Sequence, residues 1–250
     1  MTSLTEVRTS EVIVKQYQYK LKAYMGILTS LVTVQLLGLL FSLNGVGFLS
    51  TGTLGLDLSI KYYSADMIII FTFFWGFMSA LLMTTKAYRE DDFAFITNRF
   101  SSNMSSVAFI ATASVIGGLT AIMAGFLLRV VVYFILGNKE VIGTGLASGP
   151  LAFTTGLLAM ILLVFLFSSL GYLAGIIVQV HRVFVILLPV LFFGGLQYLS
   201  STENWNLPAF LYEFYFQESF FLLFAAKVVA SAALVFTIAL WISDQLEVKK

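Results

Sequence analysis

At 250 residues, the chain is 59% hydrophobic and only 11% charged, with a mean hydropathy of +0.95. Soluble chains average about 25% charged residues, so this balance excludes an ordinary soluble domain. A net charge of +1 gives no sign of a nucleic-acid partner, and the absence of Cys removes disulfides, thiolate metal sites and Cys nucleophiles together.

The polar opening, Met1 to Ala23, carries Arg8, Lys15, Lys20 and Lys22. Val12, Ile13, Val14, Tyr17, Tyr19, Leu21 and Tyr24 recur within it at near-helical spacing, which predicts an interfacial helix with a basic face on the cytoplasmic leaflet. The stretch is too long and mixed for a cleaved signal peptide, so the first apolar run is expected to be retained. Six runs follow, over 24–43, 67–85, 107–136, 151–178, 184–199 and 220–242. Each meets the ~20 residues that a bilayer requires, or nearly so; the third and fourth exceed it and are expected to tilt or protrude. Backbone groups in lipid must be satisfied within the segment, so the expected fold is an all-α integral membrane protein. The spans are expected to form one bundle of six transmembrane helices, a single transmembrane domain over 1–250.

Orientation follows from the basic residues of the short loops. With both ends inside, Arg8, Lys15, Lys20, Lys22, Lys86, Arg89, Arg99, Arg182, Lys249 and Lys250 fall on the cytoplasmic side. Only Lys61 and Lys139 fall outside, and Arg129 and Lys227 lie within spans. This predicts a multi-pass protein of the cell membrane with both termini cytoplasmic.

Two connections stand out. The cytoplasmic link 86–106 gathers Tyr88, Arg89, Glu90, Asp91 and Asp92 ahead of Phe93, Phe95, Ile96 and Phe100. A helix starting near Glu90 places acids at its positive end and aromatic anchors on one side, suited to a partner's groove or to the membrane. The adjacent carboxylates point in different directions and have no His or Cys near them, so no metal site is expected. The outer link 200–219 is rich in aromatics and contains no Lys or Arg, which predicts a re-entrant or interfacial hairpin.

Lys227 sits about two turns into the sixth span, where an unpaired ammonium is unfavourable and calls for an acid or for snorkelling. Glu213 and Glu218 are the nearest acids, and Arg129 is the other cation within a span. Glu218 is nine residues away, about 13 Å along a continuous helix, and meets Lys227 only if the chain turns near Ser219; Glu213 in a folded hairpin has the better reach and is the favoured partner, ahead of snorkelling to phosphate and of cargo contact. Gly171 and Gly175 form a GxxxG, read as a packing contact. The single His181 lies in the tight turn between the fourth and fifth spans, with no nucleophile or acid evident beside it. Phosphate-loop, zincin and GxSxG motifs are absent, so no catalytic, cofactor-binding or metal residues are assigned.

Together these features resemble the small permease subunits of ABC exporters in the ABC-2 family. The resemblance rests on the basic stretch 10–23, the six spans, the links 86–106 and 179–182, and the aromatic segment 207–218. It implies that Tyr88 to Phe100 holds the coupling helix docked on a separate cytoplasmic ATPase, flanked by the basic N-terminal helix. ATP and Mg would be bound by that ATPase and none by this chain. It also implies a second permease chain, identical or related, in the bilayer. Its compact outer loop, Asn44 to Asp66, matches members that export peptides, antibiotics or lipid-like molecules. The alternatives are a non-transporting scaffold or accessory protein and a secondary transporter; the latter calls for inverted repeats, which are not evident.

Because the chain has no Cys, single-Cys probes test the topology directly. Thr97→Cys is expected to react with an impermeant maleimide only in opened cells, and Thr202→Cys in intact cells. Labelling of both in intact cells would refute the six-span arrangement.

Overall fold

The computed structural model describes residues 9–45, 47–53, 56–85, 87–88, 99–135, 149–181, 183–201, 207–218 and 220–245. Its helices are α1 (Thr9–Ala23), α2 (Met25–Ser42), α3 (Asp66–Met83), α4 (Arg99–Ile135), α5 (Pro150–Val180), α6 (Phe184–Ser201), α7 (Leu207–Phe216) and α8 (Phe221–Gln245). Among the described residues, five helices are long and apolar enough to cross a membrane: α2, α3, α4, α5 and α8. They define a helical, multi-pass membrane protein. The fifth predicted run coincides with α6, an 18-residue helix with Pro189 inside it.

The helical class expected of the chain holds, with one local addition. The glycine-rich link after α2 forms an antiparallel hairpin of β1 (Gly47–Thr53) and β2 (Leu56–Tyr62), registered from Gly47 opposite Tyr62 to Thr53 opposite Leu56. Phe48, Thr51, Thr53, Ile60 and Tyr62 are strand-favouring residues there, and a link read only by its glycines hides them.

The helices are sorted as lipid demands. In α2 the exposed side carries Val32, Leu36, Leu37 and Leu40, while Gln35 and Ser42 are buried. Large apolar residues thus occupy the exposed side, while Gln35 and Ser42 are withdrawn into the protein beside Ile27, Leu31 and Leu39.

The chain divides into two compact units. One comprises 23–76 and 112–164. Its core joins Leu39, Tyr63, Ile68, Ala121, Ile122, Leu128, Val132, Met160 and Val164. Gln35 Nε2 donates toward Thr120 Oγ1 at 3.0 Å, with Thr72 Oγ1 and the Gly117 carbonyl each at 3.3 Å, tying α2 to α3 and α4. Trp75 Nε1 donates to Ser30 Oγ at 3.0 Å and to the Ile27 carbonyl at 3.2 Å. A Cβ on Gly125 of α4 would lie 3.3 Å from Ala65, immediately before α3 begins. The remainder of α4, 126–135, therefore runs about 15 Å past the start of α3, at 1.5 Å per residue.

The other unit comprises 1–22, 77–111 and 165–250. Here the GxxxG of α5 does the packing expected of it. A Cβ on Gly171 would fall on the Phe77 carbonyl of α3, and one on Gly175 would fall on Thr84 Oγ1 and lie 3.0 Å from the Leu81 carbonyl. These are close approaches to backbone that a methyl group forbids.

Gly171→Ala is expected to force α3 and α5 apart and destabilise the protein by about 2 kcal/mol or more, as overpacking does. Gly156, on the same helix, has open space where a methyl group would stand, with nothing within 4 Å. Gly156→Ala is therefore expected to be neutral or slightly stabilising, because Ala is the better helix former. Thermal unfolding in detergent compares the two.

Candidate functional site

The first residues of α4, Arg99-Phe-Ser-Ser-Asn-Met-Ser-Ser106, are polar and small, and they open a long apolar helix. Short hydroxyl side chains satisfy themselves on their own helix. Ser105 donates to the Ser102 carbonyl at 2.7 Å, and Ser106 donates to the same carbonyl at 3.0 Å. This leaves a thin, polar helix surface that other helices approach closely.

Three elements do so within the same unit. From α1, Lys20 Nζ donates to Ser106 Oγ at 2.7 Å and to the Ser102 carbonyl at 3.0 Å, and the residue is only 1% exposed. From α5, the Tyr172 hydroxyl donates to Asn103 Oδ1 at 2.9 Å. From α8, Ser243 receives two bonds: Asn103 Nδ2 donates to its hydroxyl at 3.2 Å, and Arg99 Nη1 donates to its carbonyl at 3.1 Å. Ser243 lies in the last turn of α8, where carbonyls have no partner further along the helix. That turn has no basic residue of its own, so the Arg99 guanidinium supplies the cation that a helix C-terminus favours. The head of α4 is thus a bolted junction of four helices.

Of the expected docking residues, Tyr88 is half-buried in a short helical turn, and Phe100 stands in the first turn of α4 with 46% of its surface exposed. Phe100 therefore belongs to the spanning helix, whose polar head 99–106 is continuous with the apolar run. Arg89, Glu90, Asp91, Asp92, Phe93, Phe95 and Ile96 lie outside the described residues. The bolted junction begins shortly after them in the chain.

Sequence reasoning placed Lys20 on the basic face of the N-terminal helix and missed it as an anchor. The structure brings Lys20 and Ser106 together, but with the polarity of a latch. The ammonium donates to the serine oxygen, while the serine proton goes to the Ser102 carbonyl. A nucleophile–base pair requires the serine proton to be directed at a neutral amine and the hydroxyl to be reachable. Ser106 is 5% exposed. The only advance signal was the polar hexad 101–106 at the mouth of an apolar run.

The second predicted constellation is corrected in its pairing. Lys227 forms its ion pair with Glu218, and Glu213 stands exposed on α7. The helix containing Lys227 starts only at Phe221, so Glu218 lies in the turn between α7 and α8 and not on a continuous helix. Helical side chains lean toward the N-terminus, which brings the ammonium back to that turn. Lys227 Nζ also donates to the Phe214 carbonyl at 3.0 Å and lies 4.5 Å from the Phe214 ring centroid. It therefore caps the last turn of α7 as well as pairing with an acid. The Tyr215 hydroxyl adds a 2.9 Å bond to Ser231 Oγ of α8. Arg129 lies elsewhere, on α4 in the other unit, with its guanidinium carbon 5.8 Å from the Phe126 ring centroid.

His181 is exposed in the turn after α5, where its Nδ1 accepts the Val183 N–H at 3.2 Å. Among the described residues, no group of three or more His, Cys, Asp or Glu is placed to hold a metal ion. Comparison with protein-family models, curated proteins and solved structures returned no match to this chain.

A double-mutant cycle tests the revised pair. Lys227→Met and Glu218→Gln are each expected to lower the thermal stability of the purified protein, with a coupling of about 1 kcal/mol between them, since both groups are partly solvated. The Lys227→Met and Glu213→Gln cycle is expected to show no coupling. The reverse result would restore the Glu213 pairing.

Proposed function

We propose that the chain is the transmembrane permease subunit of an ATP-driven exporter, moving an amphipathic peptide, antibiotic or lipid-like cargo. ATP is hydrolysed on a separate cytoplasmic ATPase, with its Mg bound there. α6 serves as the sixth span, both termini are cytoplasmic, and a second permease chain completes the pathway. The observation that carries this reading is the junction at the head of α4. A segment that receives force from a motor needs a rigid attachment directly behind it. Residues 99–106 provide one, tied by Lys20, Tyr172 and Ser243 to three further helices.

The remaining parts are in keeping with that role. The basic residues are concentrated on one predicted side of the membrane, as the positive-inside rule requires for the N-terminus-in arrangement. The aromatic segment 207–216 forms a short helix, α7, clipped to α8 by Lys227, as an outer re-entrant or interfacial element would be. The spans as a whole are apolar and rich in Phe, which suits an amphipathic cargo better than a small ion.

Purification of the tagged chain from its native membrane is expected to bring with it an ATPase activity sensitive to loss of Mg. Phe95→Ala or Asp92→Lys is expected to lower the copurified activity about tenfold, the scale of one lost anchor at an interface. Insertion of the chain should be unchanged. Full ATPase recovery with both variants would place the docking surface elsewhere, and absence of any ATPase would favour the scaffold or secondary-transporter alternatives.

A further inference from the structure

α1 is built the wrong way round for a simple surface helix. Its two buried side chains are Gln16 and Lys20, each 1% exposed, while Val14 is 52% exposed. Gln16 and Lys20 are four residues apart and so share one face. Lys20 is held by Ser102 and Ser106. Gln16 is not held: among the described residues, neither its Nε2 nor its Oε1 has a hydrogen-bond partner. A buried amide with both ends unsatisfied is unfavourable, and such groups are rare enough in folded proteins to call for a reason.

The connection to the rest of the chain is equally particular. α1 ends at Ala23 and α2 begins at Met25, with the single residue Tyr24 between them in a non-helical conformation, φ −101° and ψ 26°. No side chain caps the start of α2 there. α1 is therefore joined to α2 at a one-residue break and not as one continuous rod.

From these three observations we infer that α1 is a releasable strap, latched to the head of α4 by Lys20, hinged at Tyr24, and loaded for release by Gln16. The latched state satisfies the ammonium but strands the amide. The released state returns both to water or headgroups, where the amide gains two or more hydrogen bonds that it lacks when docked. The two residues thus oppose each other: Lys20 holds the strap closed and Gln16 favours its opening. Ser102 and Ser106, the anchor points, belong to the head of α4, so opening of the strap removes one of the three ties on that junction. The inference does not depend on the cargo or on the existence of an ATPase.

Hydrogen exchange by mass spectrometry on the full-length protein in lipid nanodiscs tests it, read on peptides covering 9–23. Gln16→Leu, which keeps the volume and removes the stranded amide, is expected to raise protection of these amides about tenfold. Lys20→Met is expected to lower it by a similar factor, and Ser106→Ala to lower it less. Peptides covering 112–132 should be unchanged in all three, which separates strap release from loss of the fold. If Lys20→Met also loosens 112–132, Ser106→Ala carries the latch arm alone. The opposite signs are the essential result: a fall or no change in Gln16→Leu, or no change in both latch variants, overturns the strap.

Discussion

Apolar helices gain nothing by leaving lipid for one another, because lipid tails are as apolar as leucine. The interactions that hold this structure are therefore the ones lipid cannot offer: close backbone approach and buried hydrogen bonds. Gly171 and Gly175 let α5 touch the backbone of α3 and the turn after it. Gln35 bonds to both α3 and α4, and Trp75 bonds back to α2. At the head of α4, hydroxyl, amide, guanidinium and ammonium groups collect where the apolar run begins. The large exposed residues, from Val32 to Leu234, form the surface that lipid covers and add little to the choice among arrangements.

This division explains how much of the fold could be read from the chain alone. Long apolar runs announce helices without ambiguity, so α2, α3, α5 and α8 fall close to their expected limits. The GxxxG is visible because its spacing is local. The head of α4 was visible only as a polar hexad. Its partners Lys20, Tyr172 and Ser243 are bonded to it across separations of 69 to 144 residues. Lys20 in particular reads as one of several lysines on a basic face, and nothing in its neighbourhood distinguishes this buried lysine from Lys15 and Lys22, which are exposed.

The Lys227 pairing went astray for a different reason. A distance along a helix is only as good as the assumption that the helix continues. Starting α8 at Phe221 converts a nine-residue separation into a contact across a turn. The same local detail makes Lys227 more than an ion-pair partner, since its ammonium also satisfies the carbonyl of Phe214 near the end of α7. The β-hairpin after α2 was hidden because the link was read by its four glycines, although Leu and Ile together hold five of its positions.

The latch between Lys20 and Ser102 has a consequence for the order of events at the ribosome. The two residues are 82 positions apart, so Lys20 is made long before its acceptor exists. At roughly 5–20 residues per second, the interval lasts about 4–16 s. Throughout it, α2 and α3 emerge and must choose their direction across the bilayer while Lys20 still carries an unengaged charge. Cations flanking the first span are what bias that choice. One ammonium thus meets two settings in succession, first on a chain still being threaded and later, once α4 has been synthesised, in the bonds that tie α1 to the head of that helix.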